Sequence, residues 1–164
     1  METAKLYCWF FSLLKSLDTN DIYTIKYNEM SFDVNGDEPA DDLANQIGIY
    51  IKGGQVKDID LTSGLQHNVN KRVQILLRGS LEQNSIIKSS TYMDSVKTEL
   101  LKSFNKELIL TDYFTVEELE EFGLTSGYFN ITIVNCNILE DVNYLGKDEQ
   151  SYPMYSINCI ITYT

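Results

Sequence analysis

From Phe129 to Thr164 the chain reads as a strand, a polar loop and a final strand. Phe129, Ile131 and Ile133 alternate with Asn130 and Thr132, the period of a strand with one buried face. The alternation slips at Ile133-Val134 and resumes as Val134, Cys136 and Ile138. A one-residue slip inverts the faces of a strand, so the slip predicts a β-bulge near Val134. After a loop expected over residues 141–153, Tyr155, Ile157, Cys159, Ile161 and Tyr163 share one side. Ser156, Asn158, Thr162 and Thr164 share the other, interrupted by Ile160. A lone strand pair is marginal in water, so the earlier chain must supply partners.

Several segments qualify. Leu6, Phe10, Leu13, Leu14 and Leu17 fall at helical spacing, and Trp9 and Phe11 widen the stripe, predicting an amphipathic helix over residues 3–17. So wide a stripe reads as core packing, with a partner surface as the alternative. Asp18-Thr-Asn-Asp21 ends the helix with turn-forming residues. Tyr23, Ile25 and Tyr27 then alternate, as do Ile47, Ile49 and Ile51 up to Gly53-Gly54. Lys71 to Arg78 carries Val73, Ile75 and Leu77 on one face and Arg72, Gln74, Leu76 and Arg78 on the other. Beyond Gly79, Ile86, Met93, Val96, Leu100 and Phe104 mark a helix from Ser85 to Phe104, with Asn84 or Ser85 as its cap. Thr115-Val-Glu-Glu118 fits a capping box and Gly123 a helical stop, giving a short acidic helix over Val116 to Phe122. These elements predict one domain over residues 1–164: an α+β fold, an antiparallel sheet with an N-terminal helix and a long central helix packed on one face.

The candidate chemistry is sparse. Asp33-x-Asn35-x-Asp37 opens like a calcium loop, but Glu38 and Ala44 stand where the loop requires Gly and Glu, so an exposed acidic loop with Gly36 and Pro39 as turn residues is the reading. His67 has no Cys or second His near it in sequence and no obvious nucleophile partner. No GxSxG elbow, HExxH pair or phosphate-binding glycine loop is present, and Gly53-Gly54 and Gly123…Gly127 lack the spacing of a nucleotide fingerprint. Cys8, Cys136 and Cys159 form no CxxC motif and read as small buried apolar residues in a reducing compartment. Cys136 and Cys159 fall on candidate neighbouring strands, which leaves a disulfide open. A formal charge of −11 argues against sequence-independent binding to DNA or to an anionic membrane, since both require clustered Lys and Arg. It does not argue against enclosing DNA without gripping it. Leu6 to Leu17 is too short to span a bilayer and lacks a cleavage site, so a cytoplasmic site of synthesis is expected.

Against this background Asn143-Tyr-Leu-Gly-Lys-Asp-Glu149, followed by Tyr155-Ser-Ile-Asn158, stands out. The combination resembles the phage minor capsid proteins of the tail-terminator type, which carry Leu-Gly-basic-Asp-Glu before a Tyr/Phe-Ser-x-Asn closing strand. Leu145, Gly146, Lys147, Asp148, Glu149, Tyr155, Ser156 and Asn158 occupy those positions. Val73 to Gly79 is similar to the family's strand ending in Arg-Gly, at Arg78 and Gly79. The chain departs from the pattern at Gln150-Ser-Tyr152, where a Gly-Arg pair is usual, and over residues 33–42 and 106–126.

The resemblance implies a non-enzymatic virion protein of a tailed phage, working without a cofactor or a metal. It implies a homo-hexameric ring that caps the tail tube protein, joins it to the head connector or head-completion protein, and encloses DNA without specific binding, away from any membrane. A head-completion or neck protein of the same connector is the alternative; a small hydrolase or ligand-binding α+β domain is the alternative from another class. As interface residues the resemblance implies Arg78, Gly79, Leu145, Gly146, Lys147, Asp148, Glu149, Tyr155 and Asn158. Mixed charges at a glycine-dependent turn suit a head-to-tail contact. The loop is therefore expected to serve neighbouring chains rather than the fold of its own subunit, with little stability lost when Lys147 and Asp148 are replaced.

Overall fold

The structure, a computed structural model, describes residues 2–27, 43–53, 56–57, 68–125 and 129–163. The acidic stretch from Asp33 to Asp42, His67, Gly54 and Gly127 lie outside these residues. In chain order the elements are α1 (Glu2–Leu17), β1 (Thr24–Tyr27), β2 (Gln46–Lys52), β3 (Val56–Lys57), β4 (Asn68–Arg78), α2 (Ser85–Leu101), β5 (Lys106–Ile109), a 3-10 turn (Leu110–Asp112), α3 (Val116–Glu121), β6 (Asn130–Lys147) and β7 (Pro153–Tyr163).

The sheet order is β1-β2-β4-β7-β6-β5, with β3 also on β4. The expected antiparallel sheet with a long central helix on one face is overturned. Strand outweighs helix, and the sheet is mixed and curled into a half-barrel. β1 runs parallel to β2, and the other pairs are antiparallel. The helices are short, at 16, 17 and 6 residues, and α1 and α2 pack on each other within the curl. Thus α1 reaches both β2 and β6, which are separated in the sheet by β4 and β7.

The curl originates in β6. Its residues 133–147 lie opposite residues 153–163 of β7, and the four surplus residues enter at four register shifts. Each bulge bends its strand and adds twist, so four in one strand roll the sheet up. The first falls between Ile133 and Asn135, where the slip at Val134 predicts it. The second, between Ile138 and Glu140, carries no slip in the sequence, and the last two fall where the sequence suggests only a loop. β6 continues through Lys147, and the expected loop over 141–153 shrinks to residues 148–152. Pairing of this kind uses backbone groups, so polar side chains do not forbid it. β5 likewise has no signal in the sequence, since Leu108 and Ile109 are too short a run to announce a strand.

Burial follows the alternation where the strands are regular. Val73, Ile75 and Leu77 of β4 and Tyr155, Ile157, Cys159, Ile161 and Tyr163 of β7 are all buried. On α1, Leu6, Trp9, Phe10 and Leu14 are buried, and only Ser16 is exposed among residues 3–17. Its wide stripe is therefore largely taken up by the core, with Tyr7, Phe11, Leu13 and Leu17 half-buried at its edge. Asp18 ends α1, its two carboxylate oxygens accepting from Ile22 N at 2.9 Å and Tyr23 N at 2.8 Å. On α2, Met93, Val96 and Leu100 are buried, but Ile86 is exposed, the helix stops at Leu101 and Phe104 is 68% exposed, so the predicted stripe is lost at both ends. The Thr115 capping box is present, with Glu118 N donating to Oγ1 at 3.2 Å and Thr115 N to Glu118 Oε2 at 2.8 Å. Gly123, at φ +85°, closes α3.

Cys8 and Cys159 are buried and Cys136 is half-buried; all three are free thiols. Burial pushes the Cys8 thiol up to about 11. A hydrogen bond with Cys136, added to burial, raises Cys159. No helix among the described residues is long and apolar enough to cross a membrane.

Candidate functional site

Two segments singled out in sequence, Arg78-Gly79 and Leu145 to Glu149, are nearly seventy residues apart along the chain and meet at one corner of the sheet. β4 and β7 run antiparallel, with Arg78 opposite Met154, and β6 and β7 close with Lys147 opposite Pro153. The end of β4 thus lies against the base of the β6–β7 hairpin. Gly79 N donates to Pro153 O at 2.9 Å, and Asn45 N to Gly79 O at 3.0 Å.

Arg78 is 1% exposed. A buried guanidinium must be paired, because burial strips its hydration. Its Nε lies 3.3 Å from Asp148 Oδ2, its Nη1 donates to Leu43 O at 3.2 Å, and its charge sits 6.0 Å from the centre of the buried Tyr152 ring. The second carboxylate oxygen of Asp148 holds the turn: it accepts from Gln150 N at 3.0 Å and Tyr152 N at 2.9 Å. Asp148 N donates to Tyr152 O at 2.9 Å, with Ser151 at φ +71° between them. One carboxylate therefore shapes the hairpin and neutralises the arginine beneath it. This corrects the expectation that the loop does little for its own subunit.

The glycines have separate tasks. Gly146, at φ +91°, occupies the last register shift of β6, a conformation that disfavours side chains. Gly79 is needed for close approach. A Cβ there would press on Ser85 Oγ and stand 2.8 Å from Ser89 Oγ and 2.9 Å from Pro153 Cγ. Gly79→Ala is expected to cost about 1–3 kcal/mol through overpacking, read as a lower urea midpoint at unchanged slope.

The remaining positions divide. Leu145 (51% exposed), Lys147 and Glu149 project from the corner into solvent, beside Tyr144 (45% exposed). Tyr155 turns to the core side: it is buried, packs at a tilt of 38° against Tyr144 with ring centres 5.1 Å apart, and donates its hydroxyl to Ile86 O at 3.1 Å. Asn158 is not at the corner. It lies further along β7, opposite Gln74 of β4 and Glu140 of β6, donating to Glu140 Oε2 at 3.5 Å. Tyr152 and Leu43 belong to the corner and escaped the sequence reading; an aromatic residue directly before Pro153 was the one available signal. Among the described residues, no cluster of three or more His, Cys, Asp or Glu side chains could hold a metal. No family model and no curated protein matches the chain.

Proposed function

We propose that the chain is a structural virion protein of a tailed phage: a tail terminator or minor capsid protein that forms a homo-hexameric ring, caps the tail tube and joins it to the head connector. The observation that carries this reading is the meeting of its Arg-Gly and Leu-Gly-Lys-Asp-Glu segments at one braced corner. There an ion pair between buried Arg78 and half-buried Asp148 braces a hairpin whose Leu145, Lys147 and Glu149 remain exposed. A rigid mount for an exposed mixed-charge tip is what a repeated subunit contact requires, since ordering a floppy tip on assembly would cost binding energy. The charge of −11 suits a conduit: like charge keeps phosphates from adhering as the genome passes.

Native mass spectrometry of the assembled particle, with imaging of tail ends, tests the reading. Six copies in a ring at the head-proximal end of the tail are expected. A single copy per assembled virion overturns the proposal.

A further inference from the structure

The face of the sheet turned away from the helices carries a second feature. Lys52 at the end of β2 is directly opposite Arg72 of β4. Side chains in such cross-strand positions stand about 4.5–5.5 Å apart at Cβ, and like charges there are destabilising. Both are exposed, and no ion pair of the described residues engages either. They border a cleft of about 260 Å³ that Val73, Gln74, Leu139, Glu140, Asn158 and Cys159 also line. Among the described residues that line it, two cations and one carboxylate leave a net positive charge, in a chain with 13 basic and 24 acidic residues. The side-chain amides of Gln74 and Asn158 are within the same cleft and can donate to an anion.

The complementary surface is α3. Its Glu117, Glu120 and Glu121 are exposed and take part in no ion pair of the described residues, whereas Glu118 is occupied by the capping box. Leu119 of α3 is buried in the core that Val73 and Ile75 also enter, whereas Arg72 and Gln74, which alternate with them along β4, give the cleft its polar lining on the opposite face. The sheet separates the two within one chain. Between two chains they can meet, and a contact between different patches is head-to-tail, the geometry that closes a ring.

We infer that the Lys52–Arg72 cleft is an anion-docking site that receives the carboxylates of Glu117, Glu120 and Glu121 from a second copy of this chain. The inference rests on the ring reading and identifies which surfaces of the ring meet. Docked carboxylates would relieve the Lys52–Arg72 repulsion, and reversing one cation would set like charges against each other at the contact, an expensive arrangement.

The test uses the full chain, as an equal mixture of unlabelled and 15N-labelled protein treated with a zero-length carbodiimide, which joins only amines and carboxylates in contact. Cross-links from Lys52 of one isotopic form to Glu117, Glu120 or Glu121 of the other are expected. Arg72→Glu should weaken self-association by roughly tenfold or more, and Arg72→Glu with Glu120→Lys should recover part of the loss. Lys52→Glu offers an internal control for folding: by turning the like-charge pair into an ion pair it should raise the melting temperature while still weakening association. If a ring forms but its mass and cross-links ignore Arg72→Glu, this inference is overturned and the ring stands. If the chain remains monomeric throughout, both are overturned. Cross-links from Lys52 to an acidic segment of a different protein in assembled tails overturn the second-copy assignment alone.

Discussion

Asp148→Ala is expected to lower subunit stability by about 3 kcal/mol, because it takes a paired carboxylate away from the buried Arg78 guanidinium. Arg78 is 1% exposed and cannot recover water without opening the corner. The same substitution removes the acceptor for Gln150 N and Tyr152 N, so the turn loosens as the ion pair is lost. For a chain of this length a loss of that size should lower the melting temperature by about 6–12 °C. Asp148→Asn separates the two contributions: its side-chain oxygen can still accept from the turn, but its charge is gone, so its loss should be smaller. Lys147→Glu and Glu149→Lys, one residue either side and exposed, should stay within about 0.5 kcal/mol of the parent. Thermal or urea unfolding of the four variants decides the matter. Equal, small losses in all of them would show that the corner is not braced by this pair.

Trp9→Ala should cost about 3–5 kcal/mol, the range for emptying a large aromatic from a packed core. Trp9 is 2% exposed and meets Phe10 edge-on at 4.8 Å, inside the curl that α1 fills. The reason for choosing Trp9 is that its sequence context permits two readings, a core stripe or a partner surface. A partner surface would make the substitution nearly silent in the isolated subunit and harmful only to assembly. A core residue gives the opposite pattern, a large drop in the urea midpoint of the free subunit. Leu145→Ala serves as the contrast: at 51% exposed it should barely alter unfolding, and its effect should appear in assembly.

The residues that could be placed from sequence share one property: their environment repeats along the chain. Tyr155 to Tyr163, Val73 to Leu77 and Leu6 to Leu14 announce themselves because a regular element returns each side chain to the same face at a fixed interval. Local hydrogen-bonding signals were equally legible, among them the Asp18 turn, the Thr115 capping box and the slip at Val134. All three are decided within a few residues of chain, and all three are where the sequence puts them.

Only the tertiary structure decided the rest. The three later bulges of β6 arise from fitting it against β7, and that fit is made by backbone groups that look alike under Asn, Asp or Leu. Their sum sets the curl, and the curl turns a helix expected on one face of a flat sheet into the filling of a half-barrel. The parallel pairing of β1 with β2 is invisible to alternation for the same reason, because period two carries no direction. Asp148 illustrates the limit most clearly. In sequence it is one charge in a polar loop, indistinguishable from Glu149. What separates them is Arg78, seventy residues earlier, which burial deprives of water and which has the Asp148 carboxylate 3.3 Å from its Nε. Periodicity is a property of neighbours in the chain, whereas the electrostatic cost of burying a charge depends on whatever long-range folding brings beside it.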